Sequence, residues 1–316
     1  MSFQAKPLFA ALFVASALML SGCNDDNKQA QQSEAPQLSA EQQDIAKYNA
    51  FIDAANGASF AKDLENHLKY YEDKIKQQKP LDNYSVVSTY NIKIMHENLD
   101  KALAMTGNLP ELDATAKPLN EALVKLEPIN TELSNYADSK GYLSDNGKKA
   151  HEKDAEYVAA LTEVVKAQQA FFDAIEKRDE INTRTAFEKA KKDSVEYYRA
   201  GLIVYAKEAA NRSDDFFTST GEQKASDAFK ESLDKTGEMA EGWNKKITEA
   251  NPKGCSSMML SINSFLSSGR QAIKHAADGD YKPRSGMHLM NPVSRDAQSF
   301  TQEFNNLINA LNMQRC

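Results

Sequence analysis

The side chains of this sequence that could act as nucleophiles, redox groups or transition-metal ligands are three cysteines and five histidines. The histidines are His67, His96, His151, His275 and His288. His96-Glu97 and His151-Glu152 open like a His-Glu-x-x-His zinc helix, but Asp100 and Ala155 stand where the second ligand should be. No histidine has another His or Cys at ligand spacing, so all five are expected on solvated helix faces and no metal is expected. No Gly-x-Ser-x-Gly elbow, phosphate-binding loop or dinucleotide fingerprint occurs. The 45 Asp and Glu residues offer chance pairs everywhere. Acid–base chemistry needs a shared pocket and shifted pKa values, which residue order does not specify. No catalytic residue and no cofactor is assigned from the sequence. The cysteines are more telling by position: Cys23 ends an apolar run, Cys255 opens a charge-poor segment, and Cys316 is the last residue.

Residues 1–22 read as a leader. Lys6 supplies one positive charge, and Leu8 to Leu20 (LFAALFVASALML) is an apolar run of thirteen residues. The run is too short to cross a bilayer core of roughly 30 Å as a helix, which takes about 20 residues. Leu20-Ser21-Gly22-Cys23 follows directly. These four residues resemble the lipobox of bacterial lipoproteins. The resemblance implies cleavage before Cys23, diacylglyceryl transfer to its sulfur and acylation of the new amino terminus. A single acyl chain holds reversibly, at about 0.8 kcal/mol per buried methylene, whereas three chains would be effectively permanent. The residue after Cys23 is Asn24 rather than the Asp common in lipoproteins kept at the inner membrane, which favours the periplasmic face of the outer membrane.

Residues 23–40 (CNDDNKQAQQSEAPQLSA) carry almost no large apolar side chains and are expected to form a flexible, disordered tether. Residues 41–316 are expected to form a single helical domain. The formal net charge is −7, and −8 once Lys6 is removed. This charge is spread along the chain, as solvated helix faces would spread it. It argues against nucleic acid or an anionic bilayer surface as partner. In the oxidising periplasm the two remaining cysteines, Cys255 and Cys316, can either pair or stay as thiols. A pair would close a loop of about 60 residues and could stabilise by roughly 2–4 kcal/mol.

The elements that must position any site read as helices. Apolar residues recur at three and four: Phe60, Leu64, Leu68, Tyr71 and Ile75; Val158, Leu161, Val165, Phe172 and Ile175, interrupted by Gln168; Val195, Tyr198, Leu202, Tyr205 and Ala209; Phe229, Leu233, Ala240, Trp243 and Ile247; Phe300, Phe304, Leu307 and Leu311. Helices are expected over 41–55, 58–78, 85–106, 109–138, 147–180, 186–212, 222–249, 255–277 and 292–313. The segment 147–212 either turns near Asn182 or runs on as one helix. Pro118 and Pro128 are expected to kink or divide 109–138. Asn291-Pro292 reads as a cap with proline at the first helical position, and Ser219 or Thr220 as the cap of the helix at Glu222. Turns are expected at Lys79-Pro80, Asp145-Asn146-Gly147 and Asn251-Pro252. The fold class is all-α, an elongated antiparallel multi-helix bundle.

Two segments depart from this pattern. Cys255 to Leu266 (CSSMMLSINSFL) reads as a buried central helix, with an adaptable Met258-Met259 surface as the alternative. Residues 278–291 (DGDYKPRSGMHLMN) read as a long loop and the first place to look for a contact. The pairs Tyr70-Tyr71, Phe171-Phe172, Tyr197-Tyr198 and Phe216-Phe217 are each expected to place one ring in the core and one at its rim.

Several stretches also resemble the YiiG-like enterobacterial lipoproteins, a family of unknown function. They are Lys47-Tyr48-Asn49-Ala50-Phe51-Ile52, the Val-Ser-Thr-Tyr-Asn stretch at 87–91, Val195-Glu196-Tyr197-Tyr198, Ser261-Ile262-Asn263-Ser264 and Glu303-Phe304-Asn305-Asn306-Leu307. The resemblance implies a lipoprotein with a helical body and carries no activity or site residues. The expectation is a non-enzymatic periplasmic lipoprotein, held on the membrane through Cys23, that binds another protein or envelope component. The alternatives are an envelope hydrolase using carboxylates from separate helices, or a carrier of a small ligand or metal.

Overall fold

A computed structural model describes residues 38–57, 64–76, 81–282 and 291–313, and these contain ten α-helices and no strand. They are α1 (Ala40–Gly57), α2 (Leu64–Lys76), α3 (Thr89–Ala104), α4 (Pro110–Asp138), α5 (Gly141–Asp145), α6 (Lys148–Lys189), α7 (Val195–Thr218), α8 (Gln223–Ala250), α9 (Ser256–Ala277) and α10 (Pro292–Asn312). The all-α bundle expected from the sequence is what the chain forms. Cys23, the tether up to Gln37, the Lys79-Pro80 turn and Phe60 lie outside the described residues.

The helices gather into two compact units that divide at residue 178, within α6. In the first, α3 packs on α1 and α4. α6 joins α1 and α2 through Phe51–Phe171 and Tyr71–Tyr157 ring contacts at 5.8 and 4.7 Å. Lys47 is buried, yet its ammonium meets Asp113 at 2.8 Å and the Gly107 carbonyl at 3.3 Å, tying α1 to the entry of α4. A buried cation held this way is compensated, and losing either partner would strand the other.

In the second unit α7, α8, α9 and α10 close a ring of neighbours: α7 on α8, α8 on α9, α9 on α10, and α10 on α7. Its core is phenylalanine-rich. Phe229 and Phe265 each lie 5.0 Å from Phe300, and Phe216 lies 5.1 Å from Phe229. Each fully buried ring contributes roughly 1.5–3 kcal/mol, and such tertiary packing rather than helix propensity supplies most of the stability of these helices. Two glycines let backbones approach. A Cβ on Gly269 would meet Leu233 at 2.8 Å, and one on Gly242 would meet the Tyr198 ring at 2.2 Å.

Several boundaries differ from the sequence reading. α3 starts at Thr89 rather than 85, because the segment before it is spent on tertiary contacts. Asn130 Nδ2 donates to the Val87 carbonyl at 2.8 Å, and the Val87 N–H donates to Tyr157 Oη at 3.1 Å. α4 is not divided by Pro118 or Pro128. α6 neither turns at Asn182 nor reaches 212. It continues to Lys189, with Asp179 paired to Lys207 of α7, and α7 starts afresh from Ser194, whose hydroxyl accepts the Tyr197 N–H. Of the stripe expected on α6, Leu161, Phe172 and Ile175 are buried, whereas Val158 and Val165 are only part-buried and their neighbours Tyr157 and Val164 take the core positions, with Gln168 and Phe171 buried beside them.

Caps followed the sequence in part. Asn291 caps α10 through the Val293 N–H at 2.9 Å, with Pro292 first in the helix. Ser219 and Thr220 do not head α8. Ser219 closes α7, Thr220 lies at φ +55°, and Glu222 is the α8 cap residue without a side-chain bond. Among the aromatic pairs only Tyr70-Tyr71 divides between rim and core; Phe171-Phe172 and Phe216-Phe217 are wholly buried, while both rings of Tyr197-Tyr198 are part-exposed.

Candidate functional site

The described polar groups of the second unit converge most densely on Asp296, in the first turns of α10. Its carboxylate is 8% exposed and takes three donors. His275 Nδ1, near the end of α9, lies 2.6 Å from Oδ2; since an ionised carboxylate only accepts, the ring N–H donates. Tyr281 Oη donates to the same oxygen at 3.0 Å, and Arg295 Nε donates to Oδ1 at 2.9 Å. Burial alone would push the Asp296 carboxyl up. The bonds from His275, Arg295 and Tyr281 together outweigh it and hold the group below the usual carboxylate range. Burial and the facing carboxylate push the Tyr281 hydroxyl up, so it stays a neutral donor. The cluster clasps the last turn of α9, the turn at 278–282 and the start of α10. The 278–291 loop therefore leaves and rejoins the body at positions fixed by one carboxylate. Residues 283–290, with His288, lie outside the described residues.

A second convergence lies in the first unit, where five tyrosines touch. Tyr84 contacts Tyr71, Tyr136 and Tyr142 with ring centroids 6.0, 5.7 and 6.3 Å apart, and Tyr71 contacts Tyr157. All five are buried, and edge-on or tilted packing suits their ring quadrupoles. The hydroxyls find partners at the rim. Tyr71 Oη lies 3.3 Å from Tyr84 Oη, and Tyr136 Oη donates to Asp145, whose carboxylate also accepts the Gly147 and Lys149 N–H groups at the start of α6. Burial pushes the Tyr71, Tyr84, Tyr136 and Tyr157 hydroxyls up, so these four are uncharged at neutral pH. Asp154 borders it with one carboxylate oxygen buried and unpartnered, and burial raises its pKa against a smaller opposing pull from His151.

Of the residues singled out by type, Cys255 is 4% exposed and disulfide-bonded. Cys316, the candidate partner from the sequence, lies outside the described residues, as does Cys23. His151 is solvated as expected. His96 and His275 are not plain surface residues. His96 Nδ1 lies 2.7 Å from Asn120 Oδ1, and Asn120 Nδ2 donates to Asp100 Oδ1 at 2.6 Å. Among the described residues no group of three His, Cys, Asp or Glu is placed to hold a metal ion, and no helix is long and apolar enough to cross a membrane. α9 is half of what the sequence suggested. Met258, Ile262, Phe265 and Leu266 are buried, but Leu260 stands 69% exposed. An open groove of about 370 Å³ runs along its outer face, lined by Asn263, Ser267, Arg270, Gln271 and Lys274 with the edge of Leu266. Sequence reasoning missed the Asp296 clasp and the tyrosine cluster. Neither has a local signature, since the five tyrosines stand at irregular spacing between positions 71 and 157.

These features define an all-α protein built on helical packing, with buried polar clasps and open outer grooves. Residues 42–313 match the family described as Protein of unknown function (DUF3829), and the chain belongs to it. No curated protein and no solved structure is significantly similar to it.

Proposed function

We propose that this member of the family is a YiiG-like, membrane-anchored periplasmic lipoprotein, without catalytic activity of its own, whose helical body binds another protein or envelope component. The observation that carries the reading is Leu20-Ser21-Gly22-Cys23, standing directly after a thirteen-residue apolar run. The start of α1 at Ala40 supports it, because the sixteen residues between Cys23 and the first helix can reach at most about 55 Å. A body held at that range can meet partners in the envelope while three acyl chains on Cys23 keep it from leaving. Asn24, standing where inner-membrane lipoproteins commonly carry Asp, favours the periplasmic face of the outer membrane.

The test is metabolic labelling with radioactive palmitate in cells expressing the full chain, followed by density-gradient separation of the membranes. Label is expected in the protein and absent from the Cys23→Ser variant, with the labelled protein in the outer-membrane fraction. An unlabelled wild-type protein would overturn the anchor, and recovery with the inner membrane would overturn the sorting. Crosslinking in intact cells then reads the binding half. One stoichiometric partner supports it, and only abundant envelope proteins in variable amounts would count against it.

A further inference from the structure

The net charge of −7 conceals a division between the two units. Residues 38–177 contain 23 Asp and Glu against 16 Lys and no Arg. Residues 178–316 contain 19 Asp and Glu against 12 Lys and all eight Arg. Within the second unit the charge is uneven as well. The end of α6, the start of α7, the end of α8, the start of α9 and the end of α10 share one end of the bundle. An Arg199 guanidinium N–H, donating to the Leu311 carbonyl at 2.8 Å, ties the start of α7 to the end of α10. The Lys246–Asp193 pair, at 2.7 Å, ties the end of α8 to the turn before α7. Exposed Lys189, Lys191, Lys192, Lys245 and Lys253 surround this end and outnumber its exposed Glu188, Glu196 and Glu249, and none of these lysines is in an ion pair among the described residues. Lys189 complements the negative end of the α6 dipole. Lys245 joins Lys246 in attracting the Asp193 carboxylate, and Lys191, Lys192 and Lys253 have no such local account. At the opposite end Asp214, Asp215, Glu222, Asp278 and Asp280 stand among Arg212, Lys224, Lys274, Lys282 and Arg295, and Lys274 pairs with Asp278 at 2.7 Å, so the charges there are mixed.

The basic end is also where the surface loses its charge and gains apolar side chains. Cys255 to Gly269 contains no charged residue. Leu260, one turn into α9, is 69% exposed, and Met313, at the end of α10, is 62% exposed. Ser256, Ser257, Asn263 and Ser267 are the exposed residues around Leu260 on α9.

We propose that this end of the second unit docks on an anionic phospholipid bilayer. Lysine rather than arginine suits a diffuse field of headgroups, because its ammonium is a mobile point charge with no fork to fit one bound phosphate or carboxylate. The surface is made of helix ends and turns. Leu260 and Met313 decide between a bilayer and a second copy of the chain. The acidic first unit of another copy would satisfy the lysines, but it would press these two side chains against an ionic surface. A bilayer takes the lysines at the headgroups and the apolar tips just below them. The proposal names a bilayer as the envelope component of the reading above, but it does not depend on acylation at Cys23.

The test uses the full chain carrying Cys23→Ser, which cannot be lipidated, and vesicles of phosphatidylcholine alone or with a third phosphatidylglycerol. Sedimentation with the anionic vesicles is expected at about 0.1 M salt and its loss at about 1 M, where the screening length falls to about 3 Å. A lysine at such a surface is worth about fivefold in binding, so the combined Lys191→Gln, Lys192→Gln, Lys245→Gln, Lys253→Gln variant should bind at least about tenfold more weakly. Leu260→Ser alone should weaken binding about threefold while leaving the salt dependence intact. Fluorescence of Trp243, buried in the same unit, reports whether each variant is folded. Failure of the wild-type chain to bind anionic vesicles would overturn the proposal, as would equal binding to neutral ones. So would a lysine variant that keeps its vesicle binding, or one that loses only self-association in sedimentation velocity, which would assign the surface to a second copy. If the lysine variant does not fold, Leu260→Ser and the salt titration decide in its place.

Discussion

Asp296→Asn keeps the size of the side chain and removes the charge on which His275, Tyr281 and Arg295 converge. An amide offers one acceptor oxygen and turns an N–H toward groups that are themselves donors. Hydrogen bonds to a charged partner contribute about 1.5–3 kcal/mol each, but three that share one carboxylate are not additive. The expected loss is about 2–4 kcal/mol at neutral pH. For a unit of this size it should lower the second unit's unfolding midpoint by roughly 6–15 °C. The sign with pH follows from the lowered pKa of Asp296. The folded state binds this proton less readily than the unfolded chain does, so the ionised group stabilises wherever the pH lies above the ordinary carboxylate value of about 3.9. That contribution disappears as the pH falls through the lower folded value. The gap between wild type and Asp296→Asn should therefore be full at neutral pH and close in acid. Thermal or urea unfolding followed through Trp243, the single tryptophan and 4% exposed in the second unit, measures it directly. A loss below about 1 kcal/mol at neutral pH, or a gap that stays the same at about pH 3, would refute the clasp.

Asp154→Asn should have the opposite sign. Its pKa is raised by burial beside the tyrosines, so the ionised form costs the fold stability above the ordinary carboxylate range. The asparagine variant should be more stable by about 1 kcal/mol at neutral pH, with the gain vanishing in acid. Near-ultraviolet circular dichroism of the buried tyrosines during urea unfolding reads this, and a loss at neutral pH would contradict the unpartnered oxygen. Gly242→Ala improves helix propensity by about 1 kcal/mol yet should destabilise by about 1–3 kcal/mol, because its Cβ would enter the Tyr198 ring. Adding Tyr198→Ala should recover most of the loss, and an unfolding midpoint left unchanged by the single substitution would show that the ring moves aside freely. Reducing the Cys255 disulfide should cost roughly 2–4 kcal/mol if its partner is Cys316, about 60 residues away. Non-reduced peptide mapping should recover the two cysteines in one linked peptide, and a free thiol at Cys316 would exclude that pairing.

The sequence by itself determined the elements. Phe229, Leu233, Ala240 and Trp243, and then Phe300, Phe304, Leu307 and Leu311, announced α8 and α10 because a helix repeats every 3.6 residues and only one stripe need be apolar. Asn291-Pro292 and Asp145-Asn146-Gly147 marked breaks because caps and left-handed turns are local chemistry. Where the outcome depended on a neighbour, the sequence alone did not decide. Asn182 is a weak helix former and not a breaker, and α6 runs through it while Asp179 meets Lys207 and the Thr183 hydroxyl bonds the Asp179 carbonyl. Residues 85–88 have nothing against a helix in their order, but Asn130 and Tyr157 engage Val87.

The buried clasp and the charged end were invisible for the same reason. Asp296 meets His275 from another helix, and Lys191 and Lys192 share an end with Lys245 and Lys253 only because α8 returns to where α7 began. A net charge summed along the chain averages such groups away. Periodicity is a property of one helix and survives in the sequence, whereas convergence is a property of how helices pack, and only the tertiary structure records it.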